Sequence, residues 1–308
     1  YKARGKIVLF NVPFTTYGET VKYRYDAPSK AARYGAKATL IRSIGSWSMN
    51  TPHTGTMGEY TYHKKIPHAA ITSEDAMMIS RISKRGQKVV LKLNMDGKFV
   101  EDRWSRNIIA ELKGSTYPEE IIVVGGHIDS WDVGQGAHDD AGGCVAAWRA
   151  VTLIKELGLK PRRTTRVVLW TNEENGGKGN ENYKNEHLSE LNNHILAIES
   201  DGGVFAPQGF GFTGSGKARD YIQDIASLLD PIGAGTITNW GRAADVAILN
   251  DNGVPVMSLN VDNSKYFWYH HTNADTFDKI DFREFNNCIA AMAVMSYVVS
   301  DMEKKLPR

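Results

Sequence analysis

The stretch EIIVVGGHIDSWDVGQGAHDDAGG, residues 120–143, joins an apolar run to a glycine-rich loop that carries His127, Asp129, Asp139 and Asp140. In an open α/β fold, a strand that ends in such a loop presents side chains at the carboxyl edge of the sheet, where ligands bind. The apolar run therefore predicts a buried strand, and the loop predicts a site. The next residues, AGGCVAAWRAVTLIKELG, predict a helix that ends near Gly158.

Strand-like and helix-like runs alternate from residue 103 to the end of the chain. The predicted strands are SRNIIAELKG, EIIVVGGH, RVVLWTNEE, HILAIESD and VPVMSLNV, and a last helix is predicted over about 281–305. Such alternation predicts an α/β fold with a mostly parallel central sheet covered by helices on both faces.

The residues before 103 predict a smaller α/β module over 1–102. Its predicted strands are KIVLFNV at 6–12, AKATLIRS at 36–43 and KVVLKLNM at 88–95. Its predicted helices are APSKAARYGA, with Ser29 as the cap, and TSEDAMMISRISKRG, with a Thr or Ser cap and Gly86 as the stop.

Composition narrows the classes of function. The 308 residues hold 37 basic and 35 acidic side chains, a net charge of +2, and the basic ones are scattered, so a nucleic-acid partner is not predicted. The longest apolar run, near residues 288–299, is shorter than the roughly 20 residues that a membrane helix needs, so no membrane span is predicted.

Four clusters of histidine and carboxylate follow predicted strands or lie in loops that can reach the same sheet edge. They are His127 with Asp129, Glu173 with Glu174, Glu199 with Asp201, and His270 with His271 and Asp275. Each cluster alone is typical of a cap or a solvated loop. Together they supply imidazole and carboxylate without thiolate, which is the ligand set of a hydrolytic zinc site.

The motifs GGHIDS, GAHDDAGG, TNEENGGKG, ESDGG and HHTNADT, in this order, resemble those of the co-catalytic zinc aminopeptidases and carboxypeptidases of family M28. The resemblance implies two Zn²⁺ ions per chain. One would be held by His127, Asp139 and Asp201, and the other by Asp139, Glu174 and His271, with Asp139 as the bridge. The N-terminal part resembles the protease-associated insert of that family, and the family's helices before this insert are expected to be missing from the chain shown.

Two metals about 3.5 to 4 Å apart can hold a bridging hydroxide and polarise a scissile carbonyl. Glu173, beside a ligand Glu, is then the expected general base. Asp129 is expected to accept the second ring N–H of His127 through its carboxylate, and Asp275 is expected to support the His271 loop. The sequence thus predicts a dinuclear zinc exopeptidase that hydrolyses dipeptides or short peptides.

Two alternatives stay open. One is a non-catalytic, receptor-like binding protein on the same scaffold, and the other is a single-zinc acyltransferase of the glutaminyl cyclase type. A homodimer and a secreted or lysosomal setting are implied by the resemblance alone.

Overall fold

The computed structural model describes residues 2–60 and 64–308. The chain forms two compact units. The N-terminal unit comprises Tyr1–Trp104, Trp131–Gly134 and Phe267–Ala274, and the C-terminal unit comprises Ser105–Ser130, Gln135–Tyr266 and Asp275–Arg308. The division into domains at residue 102 stays a prediction.

The N-terminal unit contains a three-stranded parallel sheet in the order β1-β2-β3. Its elements are β1 (Ile7–Phe10), α1 (Tyr17–Thr20), α2 (Lys22–Tyr25), α3 (Ala27–Arg33), β2 (Ala38–Arg42), β3 (His68–Ile71) and α4 (Ser73–Lys84). Helix α4 begins as predicted, because the Thr72 side chain accepts a hydrogen bond from the main-chain N–H of Asp75.

Two local predictions for this unit are wrong. Ser29 does not cap α3: the helix already begins at Ala27, and Pro28, whose fixed φ suits a first helical turn, extends it ahead of the serine. The run at 88–95 forms no strand: within residues 2–60 and 64–308, its main chain pairs with no other strand, and Val90 stays 77% exposed.

The C-terminal unit contains a seven-stranded sheet in the order β4-β6-β5-β7-β10-β8-β9. The strands are β4 (Ile108–Leu112), β5 (Tyr117–His127), β6 (Arg163–Trp170), β7 (His194–Glu199), β8 (Pro207–Thr213), β9 (Thr236–Thr238) and β10 (Val256–Val261). β4 runs antiparallel to β6 and β8 antiparallel to β10, whereas the other neighbouring pairs are parallel. The predicted class, a mostly parallel sheet flanked by helices, is confirmed.

Helices cover this sheet. They are α5 (Gly142–Glu156), α6 (Lys178–Glu186), α7 (Gly216–Ala226), α8 (Ala247–Asn250) and α10 (Phe282–Asp301). The short α9 (Tyr266–Tyr269) begins at the last residue assigned to the C-terminal unit before the chain enters the N-terminal unit. Helices α5 and α10 pack against each other and on β5. Val123, Trp170, Tyr183 and Leu249 form part of one core cluster, so their burial fixes the sheet that carries the loops.

Helix α10 ends four residues before the predicted limit. The chain leaves the helix after Asp301, which lets Leu306 become buried and lets the guanidinium of Arg308 donate to the main-chain oxygens of Leu191 and His194. No helix in the described part of the chain is long and apolar enough to cross a membrane.

Candidate metal centre

Three neighbouring strands deliver the candidate ligands to one edge of the sheet. His127 is the last residue of β5, Glu173 and Glu174 follow the end of β6, and Asp201 follows the end of β7. The register pairs His127 with Trp170 and Gly125 with Glu199, so β5 and β6 end level and β7 ends opposite a residue two positions earlier in β5. The carboxyl ends of parallel strands therefore meet as the sequence predicts.

His127 lies at the centre of this group. Its Nε2 atom is 3.1 Å from Oδ1 of Asp139 and 3.1 Å from Oδ1 of Asp201. One ligand atom from each of these three residues lies within 4.8 Å of the others, and the same holds for His127 with Glu173 and Glu174. The structure thus brings together five of the predicted site residues in the C-terminal unit.

The second ring nitrogen of His127 fixes the tautomer. Its Nδ1 lies 2.8 Å from the main-chain oxygen of Asp129, and a carbonyl oxygen can only accept, so Nδ1 carries the proton. Nε2 then faces two carboxylate oxygens, an arrangement that a cation at this position, a proton or a metal ion, would stabilise. Burial opposes protonation of His127, yet the carboxylates of Asp139 and Asp201 outweigh it and raise its pKa far above the usual range.

The donor set fits zinc. With Zn–N and Zn–O bonds of about 2.0 to 2.1 Å in a tetrahedral site, neighbouring ligand atoms lie roughly 3.3 Å apart. His127 Nε2 lies 3.1 Å from each of the two carboxylate oxygens, which agrees with this ligand–ligand distance after a small shift of the side chains. Imidazole nitrogen with carboxylate oxygens is also the chemistry that zinc accepts in hydrolytic sites.

Asp129 has a different role from the one predicted. Its carboxylate does not accept the ring N–H of His127, which bonds instead to the Asp129 main-chain oxygen. The carboxylate accepts the main-chain N–H groups of Glu173, at 3.0 Å, and Glu174, at 3.3 Å. The prediction was wrong because two-residue spacing brings the carbonyl as close to the ring as the side chain.

Asp140 holds the loop in place. It is fully buried, and its carboxylate accepts the main-chain N–H groups of His127, at 2.9 Å, and Gly143, at 3.1 Å. The peptide bond between Asp139 and Asp140 is cis. A Cβ atom on Gly143 would lie 2.1 Å from the main-chain oxygen of Ser200, so only glycine allows α5 to begin this close to the loop after β7.

Asp275 supports the other end of the same loop. Its carboxylate accepts the main-chain N–H groups of His138, at 2.8 Å, and Asp139, at 3.1 Å. The His138 ring stacks on Phe205, 4.1 Å away, and Nε2 approaches the main-chain oxygen of Lys279 at 3.3 Å. Asp275 therefore positions Asp139 directly, whereas the sequence predicted support of the His271 loop.

Glu173 is a half-buried acid with an altered proton affinity. Burial raises its pKa to about 8, and the charge of Asp201 adds to this effect. A cation bound among these acids would oppose the rise, because a nearby positive charge favours the carboxylate form.

His271 belongs to the N-terminal unit. It has a φ of 60°, and its Nδ1 lies 3.1 Å from the main-chain oxygen of Thr54, whose own N–H donates to the main-chain oxygen of His271 at 3.0 Å. As in His127, the carbonyl partner places the proton on Nδ1 and leaves Nε2 as an acceptor. The ring stacks on His270 at 3.6 Å.

Glu199 forms a buried acidic pair with Asp245, which sequence reasoning missed. The Glu199 carboxylate accepts the main-chain N–H groups of Asp245 and Val246, and Asp245 accepts from the side chain of Asn180 at 2.8 Å. Burial raises the pKa of Asp245 to about 7. Asp245 follows no predicted strand, so the sequence carried no signal for it.

A known protein family matches more than half of this chain. The model of peptidase family M28 matches residues 107–296. The chain belongs to peptidase family M28. Carboxypeptidase Q of Homo sapiens is 47% identical over 307 residues, which cover 100% of this chain and 65% of that protein. The chain thus spans about 65% of the length of the first curated relatives it matches.

Two solved structures show the same fold. A peptidase M28 precursor from Shewanella amazonensis SB2B is 35% identical, with a TM-score of 0.96 over 99% of this chain and 71% of its own. A zinc aminopeptidase from Bacillus subtilis, BSAP, has a TM-score of 0.67 at 19% identity and covers 99% of this chain and 74% of its own. The match to the Shewanella peptidase includes residues of both units.

Proposed function

We propose that this protein is a dinuclear zinc exopeptidase that hydrolyses dipeptides or short peptides, with Glu173 as the general base. The observation that carries the proposal is the Nε2 lone pair of His127, which lies 3.1 Å from a carboxylate oxygen of both Asp139 and Asp201. The family supports peptide substrates, and the name of its carboxypeptidase Q relatives supports an exopeptidase.

The proposed ligand sets are His127, Asp139 and Asp201 for one zinc, and Asp139, Glu174 and His271 for the other. His271 is assigned on its motif, and the protonation of its Nδ1 by the bond to Thr54 supports the assignment. When bound, the zinc pair supplies Lewis acidity to the scissile carbonyl and to the attacking water.

The chain's own groups complete the chemistry. Glu173 takes a proton from the attacking water and passes it to the leaving amine, which requires a carboxyl group free of metal. Asp129 holds the main-chain N–H groups of both glutamates, so the ligand and the base keep a fixed relative orientation. Asp275 and Asp140 fix the loop on which Asp139 lies.

The test combines metal content with hydrolysis of a panel of dipeptides by the full-length protein. Glu173→Gln is expected to keep two equivalents of zinc and to lose about 10²- to 10⁴-fold in rate, the range that a general base contributes. Glu181→Gln, on the exposed face of α6, is the matched control and should keep full activity.

Two results would overturn the proposal. Wild-type protein with two zinc ions that hydrolyses no dipeptide would indicate a non-catalytic, receptor-like protein. A single firmly bound zinc together with cyclisation of N-terminal glutamine would indicate an acyltransferase.

A further inference from the structure

The N-terminal unit contains a cavity of about 560 Å³. Most of its wall is apolar and comes from Ile41, Pro52, Met57, Ala69, Ala70, Met95 and Val133. Its polar lining includes Arg24 and His68. The volume lies in the range of pockets that bind small organic molecules.

Arg24 brings a buried positive charge to this cavity. The side chain is 5% exposed, and its guanidinium donates to the main-chain oxygens of Thr54, at 3.0 Å, and Thr56, at 3.2 Å, and to the hydroxyl of Tyr17, at 3.0 Å. These three acceptors are neutral, and no carboxylate in the described chain pairs with Arg24. A buried charge without a counter-charge is costly, so an anion is the ligand that this group complements.

His68 supplies a second polar contact. The residue is 9% exposed, and its Nδ1 lies 2.8 Å from the hydroxyl of Thr39. Within residues 2–60 and 64–308, its buried Nε2 has no hydrogen-bond partner. When the Thr39 hydroxyl donates to Nδ1, Nε2 carries the ring proton and can donate to a ligand.

We propose that this cavity binds a small monocarboxylate with an apolar body. The carboxylate would accept from the Arg24 guanidinium and from Nε2 of His68, and the apolar body would lie against Met57, Ala70 and Met95. A single cation in a mostly apolar wall matches one negative charge, whereas a phosphate dianion would stay only half compensated.

The site would communicate with His271 within the same unit. The Thr54 oxygen that accepts from Arg24 also accepts from Nδ1 of His271. A carboxylate bound to the Arg24 guanidinium would therefore affect the Thr54 main-chain oxygen, which orients the His271 ring.

The test uses zinc-loaded protein labelled with ¹³C at its methionine methyl groups. Met57 and Met95 report on the cavity, whereas Met292 and Met295, buried in α10, report on the C-terminal unit. The probes are 4-methylpentanoate, its uncharged partner 4-methylpentanamide, and N-acetylleucine. The carboxylates are expected to shift the Met57 and Met95 signals and leave those of Met292 and Met295 in place.

The amide is expected to bind at least about tenfold more weakly than the acid, since it lacks the charge-assisted hydrogen bond. Arg24→Gln should remove the preference for the acid, whereas Arg85→Gln, an exposed arginine of the same unit, should keep it. The relative affinities of 4-methylpentanoate and N-acetylleucine tell whether an acyl chain or an acylated amino acid suits the cavity.

The proposal is overturned if the amide binds as tightly as the acid, if neither carboxylate shifts Met57 and Met95, or if Arg24→Gln binds the acid unchanged. The comparison of acid with amide on unaltered protein stands even if the Arg24 variant fails to fold. None of these outcomes depends on peptide hydrolysis, so the cavity and the proposed activity are tested separately.

Discussion

Asp129→Asn offers a sharp test of how the proposed metal centre is held. In the structure, the Asp129 carboxylate accepts the main-chain N–H groups of Glu173 and Glu174, and its main-chain oxygen accepts the ring N–H of His127. The substitution keeps the main-chain oxygen and one side-chain acceptor, and it replaces the other acceptor by an amide donor. We therefore expect the glutamate loop to loosen while His127 keeps its tautomer.

The size of the effect follows from the lost bond. A hydrogen bond to a charged group contributes about 1.5 to 3 kcal/mol. Losing one such bond, about 2 kcal/mol, corresponds to roughly a 30-fold change in an equilibrium constant, since about 1.36 kcal/mol is tenfold. This change should fall on the zinc that Glu174 is proposed to hold.

Zinc titration by calorimetry, followed by hydrolysis of dipeptides at limiting and at excess zinc, measures it. We expect one site to keep its affinity and the other to weaken by roughly 30-fold, with activity partly restored by excess zinc. Asp132→Asn, at an exposed position three residues along, is the control. Unchanged affinity at both sites, or a selective loss at the site of His127, would refute the reasoning.

Three further outcomes are expected. Gly143→Ala should lower the free energy of unfolding by about 1 to 3 kcal/mol through overpacking, whereas Gly216→Ala, which meets nothing within 4 Å, should not; urea denaturation measures both. Burial lowers the pKa of His194 from 6.5 to about 4, so the folded protein keeps this side chain neutral. Because the unfolded chain takes up the proton first, the free energy of unfolding should fall by up to about 3 kcal/mol as the pH falls from 6.5 to 4. His194→Gln should flatten the dependence of unfolding on pH over that window. Gly55 and Gly86 both have positive φ, but only at Gly55 would a Cβ atom lie 2.2 Å from a guanidinium carbon, that of Arg24. Because Arg24 donates to the Thr54 oxygen that also orients the ring of His271, Gly55→Ala should reduce zinc stoichiometry more than Gly86→Ala.

The sequence predicted the elements whose signals are local and repeated. Strands β5, β6, β7 and β10 each contain apolar residues and are followed by polar loops. Burial on both faces explains the continuous apolar runs within β5 and β7. The order of the acidic motifs along the chain then placed His127, Glu173, Glu174 and Asp201 at the ends of adjacent strands.

The failures share a physical cause. The alternating run at 88–95 has the pattern of a strand, but a strand also needs a neighbour with free main-chain groups, and no local pattern supplies one. The Asp129 carboxylate was assigned to the nearest ring because spacing alone does not tell a side-chain oxygen from a main-chain one. Asp245 comes to lie beside Glu199 through tertiary packing alone.

The hydrogen bond from the His127 main-chain N–H to the fully buried Asp140 carboxylate ties the loop of the candidate site to the end of β5. The His127 N–H lies where the end of β5 faces the beginning of α5, and solvent can reach it only when the strand and the helix separate. Hydrogen exchange at His127 should therefore proceed through unfolding of the whole C-terminal unit and not through fraying of the loop. The loop geometry that presents the candidate ligands would then persist for as long as the sheet itself does.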